Sequence, residues 1–217
     1  MSQSTTQSKS QSSDDALPPG EFRETTLYHN WYSRVASGNP NDYTILITAH
    51  PGYTSTSGAG KTTLGAWLAR QLHINGMAGQ WSAQHHYTLD VEQFAYEVLP
   101  NADNGAAILG DEMQGTVANT NFNRMRTQKS EQLRALAAIA GDRKNRTTKI
   151  LVFQTLSRIN SYLLDFVDSW LLIVDDSRYI ANHYKMMPED VFNMDGSSGI
   201  KTPRVESISW PELPSDD

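Results

Sequence analysis

The seven residues Ser57, Gly58, Ala59, Gly60, Lys61, Thr62 and Thr63 combine small side chains, one cation and two hydroxyls. A phosphate chain needs several backbone N–H groups turned inward. That calls for residues with permissive dihedrals, and it favours the positive end of a helix. Here the run from Ser57 to Gly60 supplies the small residues, and the pattern that follows predicts a helix starting at Lys61. The Lys61 amine would then reach the terminal phosphates of a nucleotide such as ATP. The Thr62 hydroxyl would complete the coordination of Mg2+, with Thr63 next in the same cradle. Ser55 stands where such a loop usually has its first glycine, so the tight entry turn falls to Gly52.

A second group of side chains suits the same chemistry. The run AAILGDE ends an apolar segment on Asp111 and Glu112. Mg2+ takes hard oxygen ligands, usually one or two carboxylates with phosphate and water. Asp111 suits an outer or bridging metal partner, and Glu112 would polarise the attacking water. Further along, KILVFQ ends on Gln154. At the end of a parallel strand beside the phosphate loop, its amide could hydrogen-bond the γ-phosphate or the water and report hydrolysis. Singly, a GKT tripeptide, a DE pair and a strand-end Gln are ordinary features of turns and strand ends. The joint occurrence of strand–GKTT–helix and strand–DE in one chain points to nucleotide binding. The six histidines carry less: His50 adjoins the loop entry, and His85 and His86, read as strand neighbours, would point to opposite faces and make a poor metal pair.

Those side chains need elements to position them. Residues 43–49 (YTILITA) form a continuous apolar run, the pattern of a strand buried on both faces. Residues 61–72 read as a helix with Leu64, Trp67, Leu68 and Leu72 on one stripe. A strand is expected over 80–88, a helix over 89–99 capped by Asp90, a short strand over 106–109, and a polar, Asn-rich loop over 113–129. Ser130 opens a helix whose apolar stripe is Leu133, Leu136, Ala137 and Ala140. Buried strands follow at 150–154 and 170–174, with helical spacing over 159–167 between them and a hairpin or edge strands around 178–187 and 204–209. Apolar strands alternating with helices predict an α/β fold, a mainly parallel sheet covered on both faces.

Bulk properties narrow the function classes. A chain of 217 residues is long enough for one well-buried domain. A net charge of −6 argues against wrapping nucleic acid with the whole surface, while leaving room for a local basic patch or a ring with a basic lining. The absence of cysteine excludes a disulfide scaffold and Cys-ligated zinc. No apolar run approaches the ~20 residues that span a bilayer. Residues 1–20, rich in Ser, Gln and Thr, read as a disordered tail; 21–209 as a single domain; and 210–217 as a loose C-terminal end.

A GTP-binding switch would carry an N-K-x-D base reader and a D-x-x-G metal loop, and neither DRKNRT nor DEMQG fits. In order, GAGKTT, ILGDEM, a loop with NRMR, a helix ending GDRKNR, ILVFQT and finally DSWLLI resemble the P-loop ATPases of the FtsK–HerA superfamily. Within it, the chain is similar to compact archaeal and viral genome-packaging ATPases and to HerA-like or zonula-occludens-toxin-like proteins. The resemblance covers about residues 43–175 and implies a P-loop NTPase fold, three-layer α/β/α. It makes Lys61 and Thr62 the Walker A holders of phosphate and metal, Asp111 and Glu112 the Walker B pair, and Gln154 the sensor.

The same resemblance implies a ring, often a hexamer, that hydrolyses ATP to translocate DNA in genome packaging or DNA transfer. Anchoring to capsid or membrane proteins would come from elsewhere, and the location would be cytoplasmic or virion-associated. An arginine supplied by a neighbouring subunit would stabilise charge on the transferring phosphoryl group. Arg143 and Arg146 are the first candidates, with Arg158, Arg124 and Arg126 in the same region. The loop NTNFNRMRTQK could grip a DNA backbone without reading sequence. A nucleotide or small-molecule kinase and a non-catalytic ATP-binding assembly protein remain as alternatives on the same core.

Overall fold

The computed structural model of the chain describes residues 20–37, 41–49, 60–113, 134–135, 137–139, 146–154, 161–175, 177–185 and 204–211. The expectations for His50, Ser57, Gly58, Ala59, the loop after Met113, Arg124, Arg126, Ser130, Leu133, Leu136, Ala140, Arg143 and Arg158 lie outside those residues, as do 1–19 and 212–217.

The strands are β1 (Tyr43–Ala49), β2 (Tyr87–Thr88), β3 (Ala107–Gly110), β4 (Thr148–Val152), β5 (Ser169–Asp175), β6 (Ile180–Lys185) and β7 (Arg204–Ser209). They form one sheet in the order β2-β3-β4-β1-β5-β6-β7. The first five pair in parallel, and β6 and β7 add antiparallel at one side, giving the hairpin expected at the end of the chain.

Alternate side chains on a strand face opposite ways, and this sorts the core into two clusters. Ile45, Ile47, Leu109, Ile150, Val152 and Leu171 face the helices α1 (Gly20–Arg23), α2 (Thr26–Trp31) and α3 (Lys61–Leu72), packing on Phe22, Leu27, Trp31, Leu64 and Leu68. Leu46, Ile108, Leu151 and Leu172 face Phe94, Ala95, Leu99, Ile139 and Leu163 on the other side. The result is the expected three-layer α/β/α arrangement with a mainly parallel sheet. The stripe of α3 is buried as its spacing predicts, each large side chain contributing about 1.5–3 kcal/mol by leaving water.

Gly65 sits inside α3, where glycine costs ~1 kcal/mol relative to alanine. A Cβ there would lie 2.7 Å from Leu109 Cδ1, so its absence lets the helix rest close on β3. The helix over 89–99 is capped as expected: Asp90 Oδ1 accepts from the N–H groups of Glu92 at 2.7 Å and Gln93 at 2.9 Å. It begins as an α-helix at Val91–Gln93 and continues as a π-helical turn over Phe94–Val98.

Four local expectations are corrected. Residues 80–88 form a short helix, Ala83–His86, and only the two residues of β2, because Trp81 is drawn out of line to donate its indole N–H to the Ala107 carbonyl at 3.0 Å. His85 and His86 are therefore helical neighbours, with the His86 ring stacked on Trp81. Of the stripe expected after Ser130 only Ala137 is among the described residues, and it is half-buried, whereas Ala135 and Ile139 are buried. Met113, assigned to a polar loop, is buried in the second cluster, and its N–H donates to Val152 O at 3.1 Å. Trp210, assigned to the C-terminal tail, is 3% exposed and extends the packing of the sheet. Among the described residues, no helix is long and apolar enough to cross a membrane.

Candidate active site

β1, β4 and β3 lie side by side and run the same way, so the chain leaves all three at one edge of the sheet. There β1 leads toward Gly60 and α3, β3 runs into Asp111, and Gln154 follows just beyond β4. Because β4 lies between the other two, Gln154 stands between the start of α3 and the acidic pair. The described residues of the expected motifs thus share one edge of a mainly parallel sheet.

Gly60 adopts φ of 71°, in the left-handed region that glycine enters without a Cβ penalty, and its carbonyl accepts from the Leu64 N–H at 2.8 Å to open α3. Lys61 and Thr62 thus occupy the first turn, where the helix presents its positive end. Thr62 Oγ1 donates to Asp111 Oδ2 at 2.5 Å. Asp111 Oδ1 accepts from the Glu112 N–H at 2.8 Å, and the Asp111 N–H donates to Thr88 O at 2.9 Å. The carboxylate is held from two sides and its own backbone is fixed to β2. Glu112 turns into the left-handed region at φ of 50°, which costs a non-glycine residue about 1–2 kcal/mol. Its side chain is exposed.

The electrostatics follow from this packing. Lys61 is only 8% exposed, and burial pulls its pKa down while the charges of Asp111 and Glu112 push it back up. An ammonium removed from water beside carboxylates gains from an added anion, because the phosphate replaces hydration that burial has already taken away. Tyr87 on β2 lies across from Leu109, and its hydroxyl pKa is raised by burial first and then by Asp111 and Glu112. Tyr87 was missed in the sequence because a two-residue strand has no periodicity to read.

The oxygen atoms brought together by Thr62 and Asp111 are a hydroxyl and a carboxylate, both hard donors. That pair fits Mg2+, which keeps water and takes phosphate oxygens alongside few protein ligands. Thus Gly60, Lys61, Thr62, Asp111, Glu112 and Gln154 converge on one edge, with Thr63 on the next step of α3. Arg146 does not join them within its own chain: it precedes β4, at the opposite edge from Gln154, with φ of 51°. Two residues on the same edge as Lys61, Tyr179 and Trp210, carried no motif in the sequence. Trp210 Cζ2 would stand 3.4 Å from a Cβ placed on Gly60.

No protein-family model matches the chain, and no curated protein matches it. Among solved structures it is similar to the FIGL-1 AAA domain, with a TM-score of 0.39 and 15% identity over 70% of this chain and 50% of that one. The match therefore spans half the length of that structure. It is also similar to the N-terminal domain of zonular occludens toxin from Neisseria meningitidis, with a TM-score of 0.37 and 14% identity over 76% of this chain and 95% of that one. Likeness this loose carries no activity from one protein to another.

Proposed function

We propose that the chain hydrolyses MgATP. The observation that carries this reading is the hydrogen bond from Thr62 Oγ1 to Asp111 Oδ2, which joins the start of α3 to the end of β3 at the point where Lys61 is buried. In this reading Lys61 binds the terminal phosphates, and the backbone from Ser57 to Thr63 wraps them. Thr62 and Asp111 would hold Mg2+. When bound, the ion neutralises charge that develops on the phosphate oxygens. Glu112, exposed beside Asp111, orients the attacking water and takes its proton. Gln154 holds the γ-phosphate or that water from the neighbouring strand end. Arg143 or Arg146 acts on the site of an adjoining subunit.

The finer reading is a DNA-translocating motor, for genome packaging or DNA transfer, working as a ring of copies that grips DNA without sequence preference. It is supported by the motif order alone. The test is phosphate release by the purified chain with and without duplex DNA, across protein concentration. A motor of this kind releases phosphate faster with DNA, and its rate rises more steeply than linearly with protein. Turnover that ignores DNA and requires an added hydroxylated metabolite would replace this reading by a kinase.

A further inference from the structure

Tyr179 and Trp210 have no part in the roles above, yet Trp210 packs against Gly60 and Tyr179 packs on Trp210. Trp210 follows β7, is 3% exposed, and meets Gly60 through its Cζ2 edge. Its indole Nε1 is buried and, among the described residues, has no hydrogen-bond partner. Nε1 and Cζ2 are bonded to the same ring carbon, so the unused donor lies on the ring edge that meets Gly60. Leaving such a donor unmet costs a protein free energy, and a buried orphan of this kind calls for an explanation such as a missing ligand.

Tyr179 supplies a second, independent observation. Its backbone is left-handed at φ of 54°, uncommon for a bulky residue and worth tracing to function. Its carbonyl accepts from the Trp210 N–H at 3.2 Å. The two rings meet edge to face, with centroids 5.8 Å apart and planes at 70°. The Tyr179 ring is half-buried.

Topology then gives the direction. Asp111, Glu112 and Gln154 lie on the β3–β4 side of β1, whereas Tyr179 and Trp210 belong to the β5–β6–β7 side. β5 runs parallel to β1, with Ala49 beside Ile173, so Tyr179 stands at the same edge as Gly60. A triphosphate held at Lys61, Thr62 and Asp111 keeps its charged end near the carboxylates and the metal. Across β1 from those carboxylates lies the β5–β7 side, which carries Tyr179 and Trp210.

We propose that Tyr179 and Trp210 form the nucleoside wall of the site, Tyr179 offering the base an aromatic face and Trp210 an indole N–H donor. The inference rests on the phosphate-site reading and adds which residues recognise the nucleoside of the triphosphate.

The test is calorimetric titration of the full chain with MgATP and, separately, with magnesium tripolyphosphate. Tyr179→Ala weakens ATP about tenfold, the typical size of one lost base–aromatic stack, and leaves tripolyphosphate within twofold. Tyr179→Phe restores most of that loss. Trp210→Phe keeps the ring but not the donor, and weakens ATP roughly fivefold with tripolyphosphate again spared. Should Tyr179→Ala fail to fold, Trp210→Phe decides alone. Equal losses for both ligands, or no loss for either, overturn the wall and leave the phosphate site standing. A wild-type chain that binds neither ligand overturns the phosphate site and the wall with it.

Discussion

The Thr62 hydroxyl and the Asp111 carboxylate, 49 positions apart in the chain, meet at 2.5 Å across the carboxyl edge of the sheet. Neither residue is unusual by itself. What brings them together is the packing beneath: Gly65 lets α3 lie on Leu109, and Leu109 directly precedes the Gly110-Asp111 step. Gly110 is under the same constraint, since a Cβ there would fall 2.7 Å from Met113 Sδ and 2.8 Å from Phe94 Cδ2.

Metal dependence should follow from that pair. Thr62→Ala or Asp111→Asn is expected to raise the Mg2+ concentration for half-maximal phosphate release about 10–100-fold, the usual cost of removing a supporting metal partner. Thr62→Ser keeps the oxygen and should restore most of the loss. Metal titration of ATPase rate measures it, and an unchanged Mg2+ requirement in Asp111→Asn would remove that residue from metal binding.

Glu112 carries a separate prediction because its side chain is exposed and its backbone, not its carboxylate, bonds Asp111. Glu112→Gln should leave melting within about 0.5 kcal/mol, as surface changes do. It should cut ATP turnover by about 100-fold or more while ATP still binds, the scale of losing a general base. Filter binding and single-turnover hydrolysis separate the two effects. Normal turnover in Glu112→Gln would sink its role as base.

The buried ion pair of Lys149 and Asp42 gives a stability prediction unrelated to the site. Lys149 Nζ donates to Asp42 Oδ2 at 2.7 Å and to Ile139 O at 2.8 Å, with Lys149 only 1% exposed. Lys149→Met would leave the Asp42 carboxylate buried without its cation, at a cost of about 3–5 kcal/mol. Adding Asp42→Asn should return most of that. Urea unfolding of both variants checks it, and a double variant as unstable as the single one would mean that the loss is packing, not charge.

The fold was legible where burial is uniform. Residues 43–49, 150–154 and 170–174 read as strands because a strand covered on both faces is apolar along most of its length. β4 nevertheless starts earlier, at Thr148 and Lys149, where buried polar residues hid it. At the candidate site, backbone geometry accounts for Gly60, whose φ of 71° suits glycine, and the sequence also placed Asp111 and Glu112 at a strand end, where the structure has them. The rest was set by contacts between distant residues. Trp81 gives up strand geometry to reach Ala107, and Met113 is buried through a bond to Val152 although its neighbours are polar. Trp210 looked like the start of a tail because WPELPSDD is polar and proline-rich, yet β7 delivers its ring onto Gly60. No local pattern encodes a partner 150 positions away.

Glu206 makes the acid limb of stability a test of how β7 is tied to the N-terminal helix. Its Oε2 accepts from the Thr26 N–H at 2.8 Å and its Oε1 from the Leu27 N–H at 2.9 Å, so a side chain from β7 caps α2. The same Oε1 lies 2.9 Å from His183 Nδ1, and His183 Nε2 is 2.9 Å from Ser169 Oγ. Burial alone would raise the Glu206 pKa, but the contact with His183 and the two N–H donors outweigh it and hold the carboxyl below its ordinary value of 4.5. A carboxyl with a lowered folded pKa stabilises the fold in full above its unfolded value, and that contribution is lost as pH falls through the folded one. Glu206→Gln should therefore cost about 1–2 kcal/mol at pH 7, as for a lost cap at a helix start. The gap from wild type should close as pH drops below 4.5. Urea unfolding at neutral pH and at several acid pH values reads both limbs. A gap that stays constant down to the acid limit would show that the carboxylate's charge plays no part in holding α2 to the sheet.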